Sequence, residues 1–526
     1  MSEPTEPTAA DEPAIRWSGA LAGALGAAAA LATIEVVSLL DAKGTSVTEA
    51  VGNRVIDSFA ASLKEIAVAL FGTSDKAALQ IGTAIIAMAV GAAVGARAHR
   101  RPNLVVGTFA AFAVVGAWAA WVDPLASKLV ALVAVALAAL VGIAVTLGLA
   151  QRWARASADV ADDPVEGPAL ARRTVLVNGG IAAGALLFTV AIARAARESL
   201  RESAATIVRS LPSPRRSVPV PTDTLEAGAE AVEGISPYVT ANADFYRIDT
   251  ALRVPVVDAE GWELSIEGMV DRELTFTYDD LLDRPLEEIP ITMLCVSNEV
   301  GGTLVGTARW LGVRLADLLE EAGVQPGAEQ VLGRSVDGFT AGFPVEVALD
   351  GRDALVAVGM NGEPLPRSHG YPARLVVPGV YGYVSATKWL RSIELTTWDT
   401  EGYWIPRGWS RLAPIKTSSR IDVPASGAGV EAGRVAVAGV AWAPTRGIER
   451  VEVRVDDGPW AEADLGPVAS DDTWVQWWWA WDATPGDHQL AVRATDGDGE
   501  VQTAARARPD PDGATGHHTI SVSVAG

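Results

Sequence analysis

Cysteine is almost missing from this chain: Cys295 is the only one in 526 residues. A single thiol makes no intrachain disulfide and cannot assemble an iron–sulfur cluster, so both are excluded. The Cys-x-x-Cys-His haem attachment motif is absent for the same reason. Histidine is sparse as well. His99, His369, His488, His517 and His518 all lie outside the long apolar runs, which leaves no ligand for a haem b held between membrane helices. All but His369 are scattered without ligand spacing and are assigned no metal role. Positive charge is outnumbered, with 42 Lys and Arg against 64 Asp and Glu and a formal net charge of -22. With no basic domain, nucleic-acid binding is not expected. The acidic balance fits a cationic partner or plain solubility.

Acidic charge is nearly missing from five apolar stretches, at about 20–40, 79–94, 105–122, 125–149 and 175–193. A helix needs about 20 apolar residues to cross a bilayer, and the second stretch reaches that when extended from Ala77 to Ala96. Glu35 is the only acidic residue inside any of them, expected near the interface or against a neighbouring helix. Gly and Ala recur, as in Ala20-Leu-Ala-Gly-Ala-Leu-Gly-Ala, which permits close helix contacts. The charged segment Val51 to Phe71 reads as amphipathic or interfacial, so five crossings are predicted.

The arginines set the orientation. Arg97, Arg100 and Arg101 follow the second stretch, and Arg152, Arg155, Arg172 and Arg173 follow the fourth. The positive-inside rule puts both loops in the cytoplasm, the N-terminus inside and everything after about residue 195 outside. Arg194, Arg197 and Arg201 argue the other way. Arg172-Arg173-Thr-Val-Leu-Val reads either as a positive-inside flank or as a twin-arginine export signal placed internally.

Beyond the apolar half the chain becomes water-soluble and Trp-rich. A linker over 196–238 contains Leu211-Pro-Ser-Pro-Arg-Arg-Ser-Val-Pro-Val-Pro, extended by its prolines and expected to lift the soluble part off the membrane. Residues 239–422 mix short β runs (Trp262-Glu-Leu-Ser-Ile, Arg374-Leu-Val-Val) with helical pieces such as Leu315–Ala322, which reads as α+β. Over 423–526, alternating strands are separated by turns at Asp456-Asp-Gly and Asp496-Gly-Asp-Gly, the pattern of an all-β Ig-like sandwich. The predicted architecture is multi-domain: an all-α transmembrane bundle over 1–195, the linker, the α+β domain and the sandwich.

Cys295 sits in Ile291-Thr-Met-Leu-Cys-Val-Ser-Asn-Glu-Val-Gly-Gly, an apolar strand-like run leading to a Gly-rich turn. Packing alone accounts for many buried cysteines, but a soft donor at such a turn can also meet a metal or cofactor. Three other segments accompany it. They are Asp244-Phe-Tyr-Arg-Ile-Asp-Thr leading to Trp262-Glu-Leu-Ser-Ile-Glu-Gly, the run Met360–Gly379 containing Arg367-Ser-His-Gly-Tyr-Pro-Ala-Arg374, and Ser385-Ala-Thr-Lys-Trp-Leu-Arg-Ser-Ile. In this order, over about 240–526, they resemble the sulfite oxidase superfamily of molybdopterin-dependent oxidoreductases. The resemblance implies a molybdenum-molybdopterin cofactor, with Cys295 as the thiolate ligand of the metal. It also assigns Asn242, Tyr246, Arg247, His369, Arg374, Ser385 and Lys388 to cofactor binding. Arg374 and Lys388 supply cations for a phosphate, and Gly370, Gly379 and Gly382 permit close backbone approach.

The chain departs from the family where a substrate anion would bind. Asn298 and Glu299 stand where arginines are expected after the cysteine, and Gln476 stands about where another is expected. A carboxylate repels a dianion, which disfavours sulfite and favours a neutral or zwitterionic oxygen donor or acceptor such as a sulfoxide. Cys295, Arg247, Tyr403 and Glu299 are the catalytic or pocket candidates.

The expected function is a membrane-anchored, extracytoplasmic oxidoreductase moving an oxygen atom to or from a small substrate. Electrons pass to or from a separate carrier, a quinone or cytochrome, and the resemblance implies a homodimer through the Ig-like domain. The rival is a non-catalytic receptor or adhesion module on the same fold. Retention of Cys295, Arg374 and Lys388 together argues against it.

Overall fold

The computed structural model describes residues 12–59, 75–159, 167–204, 210–221, 226–227 and 230–526. The chain divides into two compact units, Met1–Thr206 with Ala251–Val256, and Ile207–Thr250 with Val257–Gly526.

The first unit is helical: Glu12–Val37, Val47–Phe59, Asp75–Gly95, Pro102–Val122, Lys128–Asp159 and Gly167–Ala204. Five spans among the described residues are long and apolar enough to cross a membrane: Trp17–Asp41, Ala78–Gly95, Pro102–Val122, Lys128–Arg155 and Val175–Arg201. Their outward faces carry exposed Ile86, Val114, Trp121, Leu140 and Leu187. Glycines bring helices together, as their recurrence suggested. A Cβ on Gly23 would strike the Gly91 carbonyl, and one on Gly26 would strike the Thr146 hydroxyl. Of the segment expected to be interfacial, Val47–Phe59 covers the first part, and residues 60–71 lie outside the described residues.

Glu35 is buried against neighbouring helices, accepting from the Thr48 hydroxyl at 2.8 Å and from Arg194 at 3.2 Å. The last long helix runs on to Ala204, beyond the helix end expected near residue 195. Arg197 and Arg201, expected there as a basic flank, are instead buried. Arg197 donates to Glu49 at 3.0 Å, and Arg201 donates to the carbonyls of Ala42 at 2.6 Å and Gly44 at 2.9 Å. Arg253 also meets Glu49, at 2.7 Å. Arginines paired in this way no longer act as free charges at a helix end. Arg173 is exposed, and the Arg172 side chain lies outside the described residues.

The second unit holds two sheets and a pair of stacked all-β layers. In one sheet Glu287–Leu294 lies between Arg216–Ser217 and Val305–Arg314, followed by Leu355–Met360, which also pairs with Arg374–Val376. Ile289 to Leu294 are all buried, as befits a strand covered on both faces. The second sheet runs Leu274–Thr277, Glu263–Gly268, Leu390–Thr396, Gln330–Ser335, Thr340–Pro344. Short helices such as Leu315–Ala322, with Leu315, Leu318, Leu319 and Ala322 turned into the core, complete an α+β arrangement. Part of the proline-rich stretch joins the first sheet rather than standing clear of it. The Arg215 and Val218 amides donate to the carbonyls of Leu286 and Glu288, because prolines hold the chain extended and leave these neighbouring N–H groups free to pair.

From Ser418 onward a four-stranded sheet (Ser418–Val423, Gly433–Trp442, Val475–Ala483, Asp464–Leu465) accompanies a five-stranded one. The latter runs Gly429–Glu431, His518–Ala525, Gly486–Asp496, Ile448–Val455, Ala461–Glu462. Their shared core includes Val437, Val453, Trp477, Trp481, Val492 and Ile520. The alternation Ile520, Val522, Val524 inward along the last strand gives one face to that core.

Candidate active site

The strand Glu287–Leu294 ends directly before Cys295, which is buried at 7% exposure. The Cys295 amide donates to the Leu304 carbonyl at 3.0 Å, and its own carbonyl accepts from Asn298 at 3.0 Å. The Asn298 side chain closes the turn by accepting from the Leu304 amide at 2.8 Å. Gly301 holds φ +80, and any Cβ there would strike the His518 ring; Arg420 donates to the Gly302 carbonyl at 2.7 Å. The C-terminal β layers therefore brace the cysteine turn from outside.

The charge of Cys295 reaches two tyrosines, Tyr246 and Tyr381. The Tyr246 hydroxyl and the Leu294 carbonyl both come within 4 Å of a Cβ placed on Gly382. Burial pushes the Tyr246 phenol up, and Cys295 adds to this while Arg374 opposes it. Burial likewise pushes Tyr381 up to about 12, with Cys295 among the charges that reach it. Neither phenol ionises near neutrality, so both remain O–H donors.

Arg374 is the central cation. It is 5% exposed, its Nη1 donates to the His369 carbonyl at 3.1 Å and its Nη2 to the Met293 sulfur at 3.7 Å. Among the described residues no carboxylate pairs with it. Burial lowers it to about 10, which still leaves a full guanidinium charge at neutral pH. A buried cation without a counter-charge is costly unless an anion arrives to meet it.

Lys388 lies beside it. Its Nζ donates to Asp249 Oδ2 at 2.9 Å and to the Ser368 carbonyl at 3.1 Å. Arg247, 41% exposed, donates through Nε to the same Asp249 oxygen at 3.0 Å. Gly370 makes the approach of the two basic segments possible. It holds φ +115, and a Cβ there would lie 3.0 Å from Arg374 Cβ and 3.1 Å from Lys388 Cβ. His369 is buried, and burial together with Arg374 lowers it to about 4. It is therefore neutral, and since the Asn242 carbonyl at 3.0 Å can only accept, Nε2 carries the proton and Nδ1 stays an acceptor. Asn242 donates to Glu363 at 2.5 Å and accepts from Asn361 at 2.8 Å. Phe245 packs between Tyr246, Trp310 and His369 with centroids 5.1 to 5.7 Å apart.

Cys295, Tyr246, His369, Arg374, Lys388, Arg247 and Asn242 are thus brought into one neighbourhood. The Ser385 hydroxyl is buried and turned to its own turn, donating to the Tyr381 carbonyl at 3.1 Å. Glu299 is exposed on the cysteine turn. Tyr403 stands in an aromatic group with Phe339 and Trp404, with the Arg407 guanidinium 3.7 Å from its ring centre. Gln476 is buried and donates to the Ser236 carbonyl at 2.8 Å. Sequence reasoning passed over Asp249, Tyr381 and Trp310. Asp249 lay inside a motif already singled out, but no local signal couples it to a lysine 139 positions away.

Residues 251–404, which include Cys295, His369, Arg374 and Lys388, match the oxidoreductase molybdopterin binding domain. The mitochondrial sulfite oxidase of Mus musculus is 32% identical over 271 residues, 43% of this chain and 49% of that protein. The sulfite oxidase of Arabidopsis thaliana is 29% identical over 309 residues, 48% of this chain and 78% of that protein. Among solved structures, the sulfane dehydrogenase SoxCD from Paracoccus pantotrophus matches at 25% identity and a TM-score of 0.48, covering 58% of this chain and 88% of that one. Through its second half the chain belongs to the sulfite oxidase superfamily of molybdopterin oxidoreductases. It spans about half the length of the mammalian relatives it matches. The residues present fit the molybdenum-molybdopterin cofactor that this family implies. Arg374 is a buried cation that no carboxylate pairs with among the described residues, Gly370 is a cradle that a Cβ would crowd, and the one thiol in the chain is a soft donor at the same site.

Proposed function

We propose that this protein is a membrane-anchored oxidoreductase that transfers an oxygen atom to or from a small substrate at a molybdenum-molybdopterin centre. The observation that carries the reading is Arg374, buried with no carboxylate paired to it among the described residues and placed with Lys388 and Cys295 in a domain of the molybdopterin type. The cofactor would supply the oxygen transfer and the electron storage. The chain's own residues bind and orient it: Cys295 as the metal's thiolate, Arg374 and Lys388 for the phosphate, with Asn242, His369, Tyr246, Arg247 and Ser385 around the heterocycle. Tyr246 and Tyr381 offer O–H donors near the thiol, while Tyr403, Arg247 and Glu299 are candidates for the pocket wall.

Five apolar spans with exposed aliphatic faces support anchoring in a bilayer, since such faces are poorly tolerated in water. The arginine loops favour an extracytoplasmic catalytic domain, a reading strengthened because Arg197 and Arg201 are engaged in pairing. The boundaries that go with it are an anchor over 1–195, a linker over 196–238, a catalytic domain over 239–422 and an Ig-like sandwich over 423–526 that serves a homodimer. A neutral substrate such as a sulfoxide fits a cysteine turn bearing Asn298 and Glu299 better than sulfite does. Electrons would be exchanged with a separate quinone or cytochrome.

Elemental analysis for molybdenum on protein from a cofactor-making host, beside Arg374→Ala/Lys388→Ala, tests the centre. Stoichiometric metal that falls in the double variant supports it, and an empty wild type leaves the binding-module rival. Paired assays with a dye donor and a dye acceptor, on sulfoxide and sulfite, separate the two directions.

A further inference from the structure

An acid at a site built to receive an anion is out of place on charge alone, because it repels what the cations attract. Asp249 is such an acid. Its side chain is 4% exposed, and one oxygen accepts from Lys388 at 2.9 Å and from Arg247 at 3.0 Å. These cations come from different parts of the chain: Arg247 from the segment two residues before, Lys388 from the turn leading into the strand Leu390–Thr396. We propose that Asp249 is the positioning residue of the cofactor's anion site: its single oxygen aims both cations, and its charge keeps Lys388 an ammonium. This rests on the reading that the cluster binds the cofactor's phosphate.

The other contacts of Lys388 cannot do this work. The Ser368 carbonyl at 3.1 Å and the Trp389 ring at 4.6 Å orient the ammonium but carry no charge. The titratable and charged groups facing Lys388 are Asp249, Arg247, Arg374, His369 and Asp337. Arg247 and Arg374 repel a third cation, and His369 is neutral. Burial pushes the Asp337 carboxyl up, with Asp249 adding to it; its Oδ1 accepts from the Phe339 amide at 3.1 Å, and no ion pair joins it to Lys388 among the described residues. Burial already draws Lys388 down to about 8, and Asp249 is the main group that opposes this. Without that carboxylate the lysine would titrate lower still, and its charge would vanish in the weakly alkaline range. With it, three cations face one carboxylate, leaving an excess for a dianionic phosphate.

Asp249→Asn keeps the shape and an acceptor for Lys388 while removing the charge. Full-length wild type and D249N, purified from a host supplied with molybdate, are dialysed at about pH 6 and about pH 8. Molybdenum and the fluorescent oxidised pterin are then measured per protein. Wild type should hold both at either pH. D249N should hold them within about twofold at the lower pH and lose about tenfold at the higher one. The same loss at both pH values, or no loss at either, overturns the proposal, since a merely structural role has no reason to follow Lys388 titration. A wild type without molybdenum and pterin at the lower pH fails differently: it removes the cofactor reading, and this proposal with it.

Discussion

The Arg374 guanidinium lies 4.9 Å from the centre of the Trp310 ring, both side chains buried, with the ring supplying a π face where a carboxylate would be expected. A cation–π contact of this kind is worth about 2 kcal/mol when desolvated, well short of the cost of burying a charge. If Arg374 serves the proposed phosphate site, its charge destabilises the cofactor-free fold. Arg374→Met, which keeps the length and removes the charge, should leave the melting temperature of cofactor-free protein unchanged or raise it. The same variant should lose molybdenum and pterin by about tenfold or more. A methionine variant that retains its cofactor would take Arg374 out of the site.

Cys295, as the one thiol in the chain, offers a reading free of background. In protein grown without molybdate it should react with a thiol reagent, slowly in the fold because it is 7% exposed and at once after denaturation. In loaded protein it should resist until the metal is released. Cys295→Ser should fold with a stability change of about 1 kcal/mol and hold less than about a tenth of the wild-type molybdenum. Equal thiol reactivity in loaded and unloaded protein would contradict ligation.

His369 gives the pH dependence of the cofactor-free fold. Its folded value is lowered to about 4 by burial and by Arg374, against 6.5 when unfolded. Between those values the unfolded chain binds the extra proton, so stability falls as pH drops from about 6.5 to about 4 and is level below. The full effect is about 3 kcal/mol. Melting scans of His369→Gln beside wild type should show a flatter acid limb in the variant; parallel curves would mean that His369 titrates freely.

Much of this site could be read along the chain, and what could not be read has a common cause. The cysteine strand was visible because Ile289, Ile291, Met293 and Leu294 make a mostly apolar run before a Gly-rich turn, a local pattern that survives folding. The basic partners entered through the family resemblance, and Arg374 and Lys388 do sit in one neighbourhood, closed by Gly370. Asp249 stayed hidden because its partner is fixed by tertiary contact rather than by spacing. The arginines near 200 were placed past the last helix for a related reason. Local charge marked a helix end, whereas Arg197 meets Glu49 at a separation of 148 residues and the helix continues. Proline content suggested a free spacer, but the N–H groups beside Arg216 and Ser217 found an open strand edge at Leu286 and Glu288.

The direction of insertion can be settled with the same lack of cysteine that opened the chain to thiol chemistry. In a Cys295→Ser background, His99→Cys marks the exposed arginine loop between two apolar spans, and Glu462→Cys marks the exposed edge of the C-terminal β layers. Two arginine-bearing loops predict that the first is cytoplasmic and the second is outside. A membrane-impermeant maleimide should therefore label Glu462→Cys in intact cells and His99→Cys only after lysis. Labelling of both in intact cells, or the reverse order, would contradict the orientation. The reverse order would also place the cysteine site on the side where cytoplasmic reductants, rather than an external carrier, supply electrons.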